Sequence, residues 1–239
     1  MSSWVMKGLH FSWAKTKNLP KPNQYVQMMC NEFSNWAYDE EKSPTFKGKW
    51  RSHSFQKSES SFLDLEIGPG NGNHFAHHAL KNPDRLALAI ELKYKPIVQT
   101  VRRALDNGSQ NARVIRYNAY LIEDLFSEGE LNNVYIHFPD PWVTPRKPKN
   151  RLVCQRVLDL LWDMQQTGSK LDFKTDSREY FLWAIEEIRR TKYKIEFETL
   201  NLHSSSTPKN IASENFVTQF ENIFIRQGIE INFVRLRKT

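Results

Sequence analysis

Cysteine is nearly absent. The chain has two, Cys30 and Cys154, far apart in sequence. Two isolated thiols build neither a disulfide framework nor a thiolate metal site, and they suit a reducing cytoplasm. Long apolar runs are missing as well: no stretch approaches the ~18 uninterrupted apolar residues of a membrane span. The N-terminal stretch carries Lys7, Lys15, Lys17 and Lys21 without a continuous apolar core, so no signal peptide is expected. There is no internal repeat and no long low-complexity tract, so a repeat array is not expected.

What is present is an ordinary globular balance, 39% hydrophobic and 26% charged over 239 residues, enough for one large α/β domain with a proper core. The formal charge of +7 and pI of 9.3 favour a polyanionic partner, either nucleic acid or an anionic membrane surface. Residues 1–60 hold nine Lys/Arg against five Asp/Glu and are punctuated by Pro20, Pro22 and Pro44. They read as a basic, partly flexible N-terminal extension ahead of a domain spanning residues 61–239. Tyr25, Met28, Met29, Phe33 and Trp36 stand near helical spacing, which predicts one amphipathic helix over residues 23–41. That helix either packs on the domain or belongs to a basic arm reaching toward a nucleic acid.

From Ser61 the rhythm becomes strand, glycine loop and helix. Strands are expected over residues 61–68, 85–92, 112–119, 132–138, 169–176, 194–200 and 230–238. Helices are expected over 73–82, 94–107, 121–126, 151–168, 177–191 and 214–228. Short apolar runs alternating with helices make βαβ units, hence a doubly wound, mostly parallel sheet with an antiparallel strand at one edge.

Ligands of open α/β sheets sit beyond the carboxyl ends of the strands. Glu66 to Gly72, Glu91, Asn118, Asp140 and Asp176 all fall there. Gly68, Gly70 and Gly72 permit a tight turn and close backbone approach to a ligand. Glu91 ends the second strand, at the place of an acid that accepts hydrogen bonds from a ribose diol; the alternative is a solvated strand end. Glu66, just ahead of the glycines, would repel a pyrophosphate but suits a cation such as the aminoacyl sulfonium of S-adenosylmethionine.

Asp140 stands between Pro139 and Pro141, with Trp142 next and then Arg146, Lys147, Lys149 and Arg151 without an acid among them. Methylation of a ring nitrogen with a free lone pair needs no general base, but leaves the ring positive. A rigid carboxylate can orient the base and stabilise that charge as it develops, while Trp142 stacks on or walls the base. The basic run then seeks phosphates, its alternative being a solvated loop. Asp176 or Ser177 is either an N-cap or, for the acid, a second contact to the base. His74 and His78 lie one turn apart with no third ligand signalled, so a polar helix face is expected and no metal.

From about Phe62 to Lys238 these residues resemble the bacterial tRNA (guanine-7-)-methyltransferase family, often called TrmB. The resemblance rests on EIGPGNG, AIEL, FPDPW, the basic segment into RLV, FKTD with its helix, and ENFVTQFENIF. It implies a class I S-adenosylmethionine-dependent methyltransferase fold (Rossmann-like) and transfer of methyl to the 7-nitrogen of a guanine in the tRNA variable loop. S-adenosyl-L-methionine would be the cofactor, S-adenosyl-L-homocysteine its product and tRNA the partner, in the cytoplasm, with no membrane and no metal. Monomer and homodimer stay open. Glu66, Gly68, Gly70, Gly72, Glu91, Asn118 and Asp140 would contact the cofactor, with Asp140 the catalytic acid. Thr144, Arg146, Lys147, Asp176, Thr218, Phe220 and Glu221 would face the substrate. Asn118 stands where the family has Asp, and Thr144 where it has a basic residue. Alternatives are a methyltransferase of another RNA or a small molecule, and an RNA-binding homologue that has lost catalysis.

Overall fold

The computed structural model describes residues 4–6, 9–11, 14–142 and 150–239. A short antiparallel hairpin, β1 (Trp4–Met6) and β2 (Leu9–Phe11), stands apart from the main sheet. The main sheet has eight strands: β3 (Ala37–Tyr38), β4 (Phe62–Ile67), β5 (Arg85–Glu91), β6 (Ala112–Arg116), β7 (Val134–His137), β8 (Lys170–Thr175), β9 (Lys194–Thr199) and β10 (Asn232–Arg237). Their spatial order is β3-β6-β5-β4-β7-β8-β10-β9. All neighbours are parallel except β10, which runs antiparallel to both β8 and β9. The reversed strand thus lies one place in from the edge, and β9 closes the sheet.

The order reverses between β4 and β7, because β5 and β6 continue to one side and β7 and β8 to the other. A crevice opens at such a switch point, beyond the carboxyl ends of the strands. The segments leaving β4 and β7 are the glycine loop and Phe138 to Trp142, so topology alone brings them together.

Among the described residues seven α-helices flank the sheet: α1 (Gln24–Cys30), α2 (Asn73–Lys81), α3 (Tyr94–Asp106), α4 (Gln155–Met164), α5 (Arg178–Ile188), α6 (Lys209–Glu214) and α7 (Gln219–Arg226). Strand alternation gives β4 two different faces. Leu63, Leu65 and Ile67 enter the larger core with Val157, Leu161 and Ile185 of α4 and α5. On the other face small residues, Ala87, Ala89 and Ala112, let α2 and α3 pack close through Phe75, Ile97 and Val101.

That second face turns polar toward β10. Register sets Glu66 beside Tyr135, Tyr135 beside Asp172, and Asp172 beside Arg235. The Arg235 guanidinium grips Asp172 with bonds of 2.8 and 2.7 Å, and His78 and Arg85 both bond Asp64. Buried charge is tolerated here because every carboxylate has a cationic or imidazole partner. His74 and His78 are therefore not a solvated helix face, as the spacing suggested. They point inward, to Glu66 and Asp64.

Residues 14–60 pack on this scaffold. Trp50 is fully buried, its indole N–H donating to the Leu125 carbonyl at 2.8 Å, and Glu40 pairs with Arg116 at 2.7 Å. The single helix expected over residues 23–41 stops at Cys30. Its continuation is pulled straight because the Trp36 carbonyl accepts from Val114 N at 2.8 Å and Ala37–Tyr38 join β6 as the edge strand. Met29, Phe33 and Ala37 still share the α2 and α3 core, so the apolar spacing was real but is spent across a turn.

The helix expected over residues 214–228 starts later: α6 ends at Glu214, residues 215–218 are not helical, and α7 begins at Gln219 after the cap Thr218. Thr218 and Glu221 form a reciprocal capping box, a local stop-and-start signal carried by T-x-x-E.

Gly72, the N-cap of α2, has φ of 80°, and a Cβ there would lie 2.6 Å from the Thr100 Cα. Gly72→Ala combines left-handed strain with a backbone clash and is expected to cost about 3 kcal/mol of stability. A lowered urea midpoint at unchanged slope would register it.

Candidate active site

Four strand ends meet at one cleft of about 880 Å³. Gly68 and Gly70 follow β4, Glu91 ends β5, Asn118 follows β6, and Asp140 and Trp142 follow β7. A Cβ built on Gly68 or Gly70 would meet no heavy atom within 4 Å, so the space over the loop is free for a ligand to approach the backbone.

Glu91 is oriented by its own chain. Its Oε1 accepts from the Leu92 and Lys93 amides at 2.7 and 2.9 Å, and no described residue bonds its second oxygen. Burial raises its pKa against the pull of those amides, and the nearby negative charge of Asp140 adds to the rise. A ribose diol needs the ionised form as acceptor. Cofactor affinity is therefore expected to be flat at neutral pH and to weaken as pH falls through a value above the ordinary carboxylate range. Calorimetric titration with S-adenosylhomocysteine across pH checks this, and Glu91→Gln should flatten the profile.

Asn118 is buried and caps the short helix Ala119–Asp124 by accepting from Tyr120 N at 3.1 Å, with its amide on the cleft wall. The Tyr120 hydroxyl donates to the Asn150 carbonyl, tying this wall to the chain that enters α4.

Asp140 is exposed in the cleft, and no hydrogen bond or ion pair from the described residues engages it. The backbone around it is unusual: Phe138 has φ of 51° and Trp142 of 45°, left-handed values that cost about 1–3 kcal/mol each. Prolines between them fix their own φ. Strain of this kind persists only where the surroundings impose it. Phe138 N donates to the Lys174 carbonyl at 2.8 Å on one side. On the other, Arg151 Nε donates to the Pro141 carbonyl at 2.9 Å.

Arg151 overturns the sequence reading. It is 1% exposed, bonded to Glu179 at 2.6 Å and set 5.1 Å from the Tyr180 and Trp183 rings. A guanidinium so placed is closed to phosphate. The last basic residue of the run folds back as the brace of the Asp140 loop, which a one-dimensional charge pattern does not reveal.

Phe220 of α7 leans over the cleft and also lines an adjoining recess of about 100 Å³ with Glu66, His74, His137 and Thr218. Asn71 of the glycine loop donates to Gln219 at 2.8 Å, joining α7 to that loop. Glu221 behaves differently: it is fully buried and accepts from Lys174, His203 and Asn215 at 2.9, 2.8 and 3.0 Å. Burial alone would raise its carboxyl, but the Lys174 ammonium brings the net shift below the ordinary value.

The methyltransferase family Methyltransf_4 matches residues 60–234. A curated tRNA (guanine-N(7)-)-methyltransferase of Bdellovibrio bacteriovorus is 54% identical over 207 residues, covering 87% of this chain and 97% of its own. This chain belongs to the tRNA (guanine-N7)-methyltransferase family. The relative of the same name in Clostridium acetobutylicum is 31% identical, over 79% of this chain and 86% of its own. Among solved structures, the 16S rRNA (adenine(1408)-N(1))-methyltransferase from Catenulisporales acidiphilia aligns with a TM-score of 0.52 at 12% identity. That alignment covers 77% of this chain and 92% of the other, and it shows the shared class I methyltransferase fold.

Within this methyltransferase, the cleft unites Gly68, Gly70, Glu91, Asn118, Asp140 and Phe220. Glu66 and Thr218 sit in the adjoining recess, while Gly72 packs on α3. Asp176 is half-buried after β8 and lines neither space, and Ser177, not Asp176, caps α5. Thr144, Arg146 and Lys147 lie outside the described residues. Tyr117, Lys93 and Phe138 complete the walls, and no spacing in the sequence marks them. Among the described residues no helix is long and apolar enough to cross a membrane.

Proposed function

We propose that this chain transfers the methyl group of S-adenosyl-L-methionine to the 7-nitrogen of a guanine in the tRNA variable loop, giving 7-methylguanosine. The observation that carries the reading is the rigidly held Asp140, unpartnered among the described residues, at the meeting point of the glycine loop, Glu91 and Asn118. The residues fit the cofactor: an open glycine cradle, a free Glu91 oxygen for the ribose, and Asn118 for the adenine amino group. Glu66 would complement the methionine ammonium from the recess beneath.

When bound, the cofactor supplies a sulfonium-activated methyl group. That methyl would pass to the lone pair of the guanine 7-nitrogen as its bond to sulfur breaks, which would leave the positive charge on the purine facing Asp140. No proton has to leave that nitrogen, so Asp140 works as a fixed negative charge that orients the base and stabilises the developing cation. Trp142 and Phe220 offer rings against which an extruded base can stack. Arg146 and Lys147 would hold phosphates and Thr144 the substrate, with Asp176, Thr218 and Glu221 on the substrate side, Glu221 by positioning α7. Residues 61–239 would be the methyltransferase domain behind an extension of residues 1–60, working in the cytoplasm.

Purified protein incubated with unmodified tRNA and methyl-labelled S-adenosylmethionine tests this. After digestion the label should sit in 7-methylguanosine; cofactor binding without transfer would favour a homologue that has lost catalysis.

A further inference from the structure

The recess of about 100 Å³ communicates with the cleft, since Gly68, Gly70, Phe138 and Phe220 border both. Glu66, His74 and His137 line it, and each is 9% exposed or less. His74 Nδ1 donates to one Glu66 oxygen at 2.8 Å, and among the described residues nothing bonds the other. Lys174, which borders the polar cavity beside His137, is held by Glu221 at 2.9 Å. A carboxylate buried this deeply, with no lysine or arginine beside it, suits a cation brought by a ligand. His137, at the end of β7, has no hydrogen bond from the described residues, and its Nδ1 is buried without a partner. Burial, then the charge of Lys174, holds its pKa well below the ordinary imidazole range, so the ring is neutral and one nitrogen keeps a free lone pair. Leaving such a lone pair buried and unused is costly.

We propose that His137 is a second acceptor for the methionine ammonium of the cofactor, sharing it with the free oxygen of Glu66, while His74 is the positioning residue of that carboxylate. The inference rests on the S-adenosylmethionine reading above and extends it to two side chains that no motif marks. The spacing fits. Two acceptors that each lie about 2.8 Å from one tetrahedral ammonium stand roughly 4.6 Å apart. Glu66, His74 and His137 each offer an atom within 4.8 Å of the others, so a carboxylate oxygen and an imidazole nitrogen can straddle one nitrogen with little movement. In the tautomer with its proton on Nε2, His137 turns the Nδ1 lone pair to one N–H of the ligand. His74 spends its own Nδ1 proton on Glu66 and thereby fixes which oxygen stays free. An imidazole lone pair adds direction to the charge of Glu66, so the recess reads N–H donors as well as positive charge.

The test is calorimetric titration of the full chain with S-adenosylhomocysteine and with its desamino analogue, in which hydrogen replaces the amino group. The unaltered protein should prefer the first by at least about thirtyfold. His137→Phe keeps a ring in place but removes the acceptor; it should weaken S-adenosylhomocysteine about tenfold and leave the analogue within about twofold. His137→Asn, with an amide oxygen near the place of Nδ1, should recover most of that loss. His74→Phe should likewise weaken only the ligand that carries the amine, and His77→Gln, outside the recess, should change neither. Nitrogen NMR of the unaltered protein labelled at histidine decides the matter if His137→Phe does not fold: the His137 Nδ1 resonance should move with S-adenosylhomocysteine and stay put with the analogue. Equal affinity of the unaltered protein for both ligands, equal losses for both in His137→Phe, no loss there, or an unmoved resonance would overturn the proposal. Failure of the unaltered protein to bind either ligand would instead sink the cofactor reading itself, and this inference with it.

Discussion

Replacing Asp140 by alanine is expected to lower methyl transfer by about 10³-fold while leaving cofactor affinity within about tenfold. The separation follows from the geometry. Glu91, Asn118 and the open glycine loop hold their own positions through bonds that do not involve Asp140. Removing the carboxylate also lifts a negative charge that raises the Glu91 pKa, so ribose binding is not weakened from that side. What is lost is the fixed charge facing the purine as it becomes cationic. Single-turnover rates with labelled cofactor and separate binding titrations distinguish the two terms. A matching loss in both would mean that Asp140 is chiefly a binding group.

The second large effect is expected at Arg151, which touches neither cofactor nor base. Arg151→Ala removes the donor to the Pro141 carbonyl and opens a void between Tyr180 and Trp183. Glu179 is 66% exposed at its side chain and can turn to water, so no charge is left buried and unpaired. The stability cost is then that of a lost buried hydrogen bond and a cavity, about 2–4 kcal/mol. Catalysis should suffer more visibly. The strained φ values at Phe138 and Trp142 survive only while both ends of the loop are pinned, and a shift of about 1 Å in Asp140 is worth roughly 10²-fold in rate. Arg151→Lys should not restore activity, because an ammonium lacks the planar fork that spans Pro141 and Glu179. If Arg151 instead contacts phosphate, the variant will flatten the salt dependence of tRNA binding and leave the single-turnover rate unchanged.

These two residues show what the sequence made legible and what it did not. Asp140 was readable because position at a strand end and flanking prolines are local facts. Glu91 and the glycine loop were readable for the same reason, and the strands behind them announced themselves as short apolar runs. Arg151 looked like its basic neighbours, since only the packing of α5 against β8 reveals that it turns inward. Glu221 is legible in part: T-x-x-E carries the capping-box signal, but not the bond to Lys174 of β8 that comes only with the packing of α7 on the sheet. The helix over residues 23–41 failed because an edge-strand bond from Val114 outweighed a weak helical preference. Histidine spacing misled most, because His74 and His78 read as a polar helix face, whereas packing of α2 on the sheet brings them to Glu66 and Asp64 of β4.

The most direct measurement locates the methyl group in the RNA. Unmodified tRNA treated with the protein and S-adenosylmethionine is reduced with borohydride and cleaved with aniline, which breaks the chain only at 7-methylguanosine. One cut, at a guanine of the variable loop, is the predicted result, and it should vanish with the Asp140→Ala protein. Cuts at other guanines, or methylation that leaves the treated RNA intact, would contradict the account.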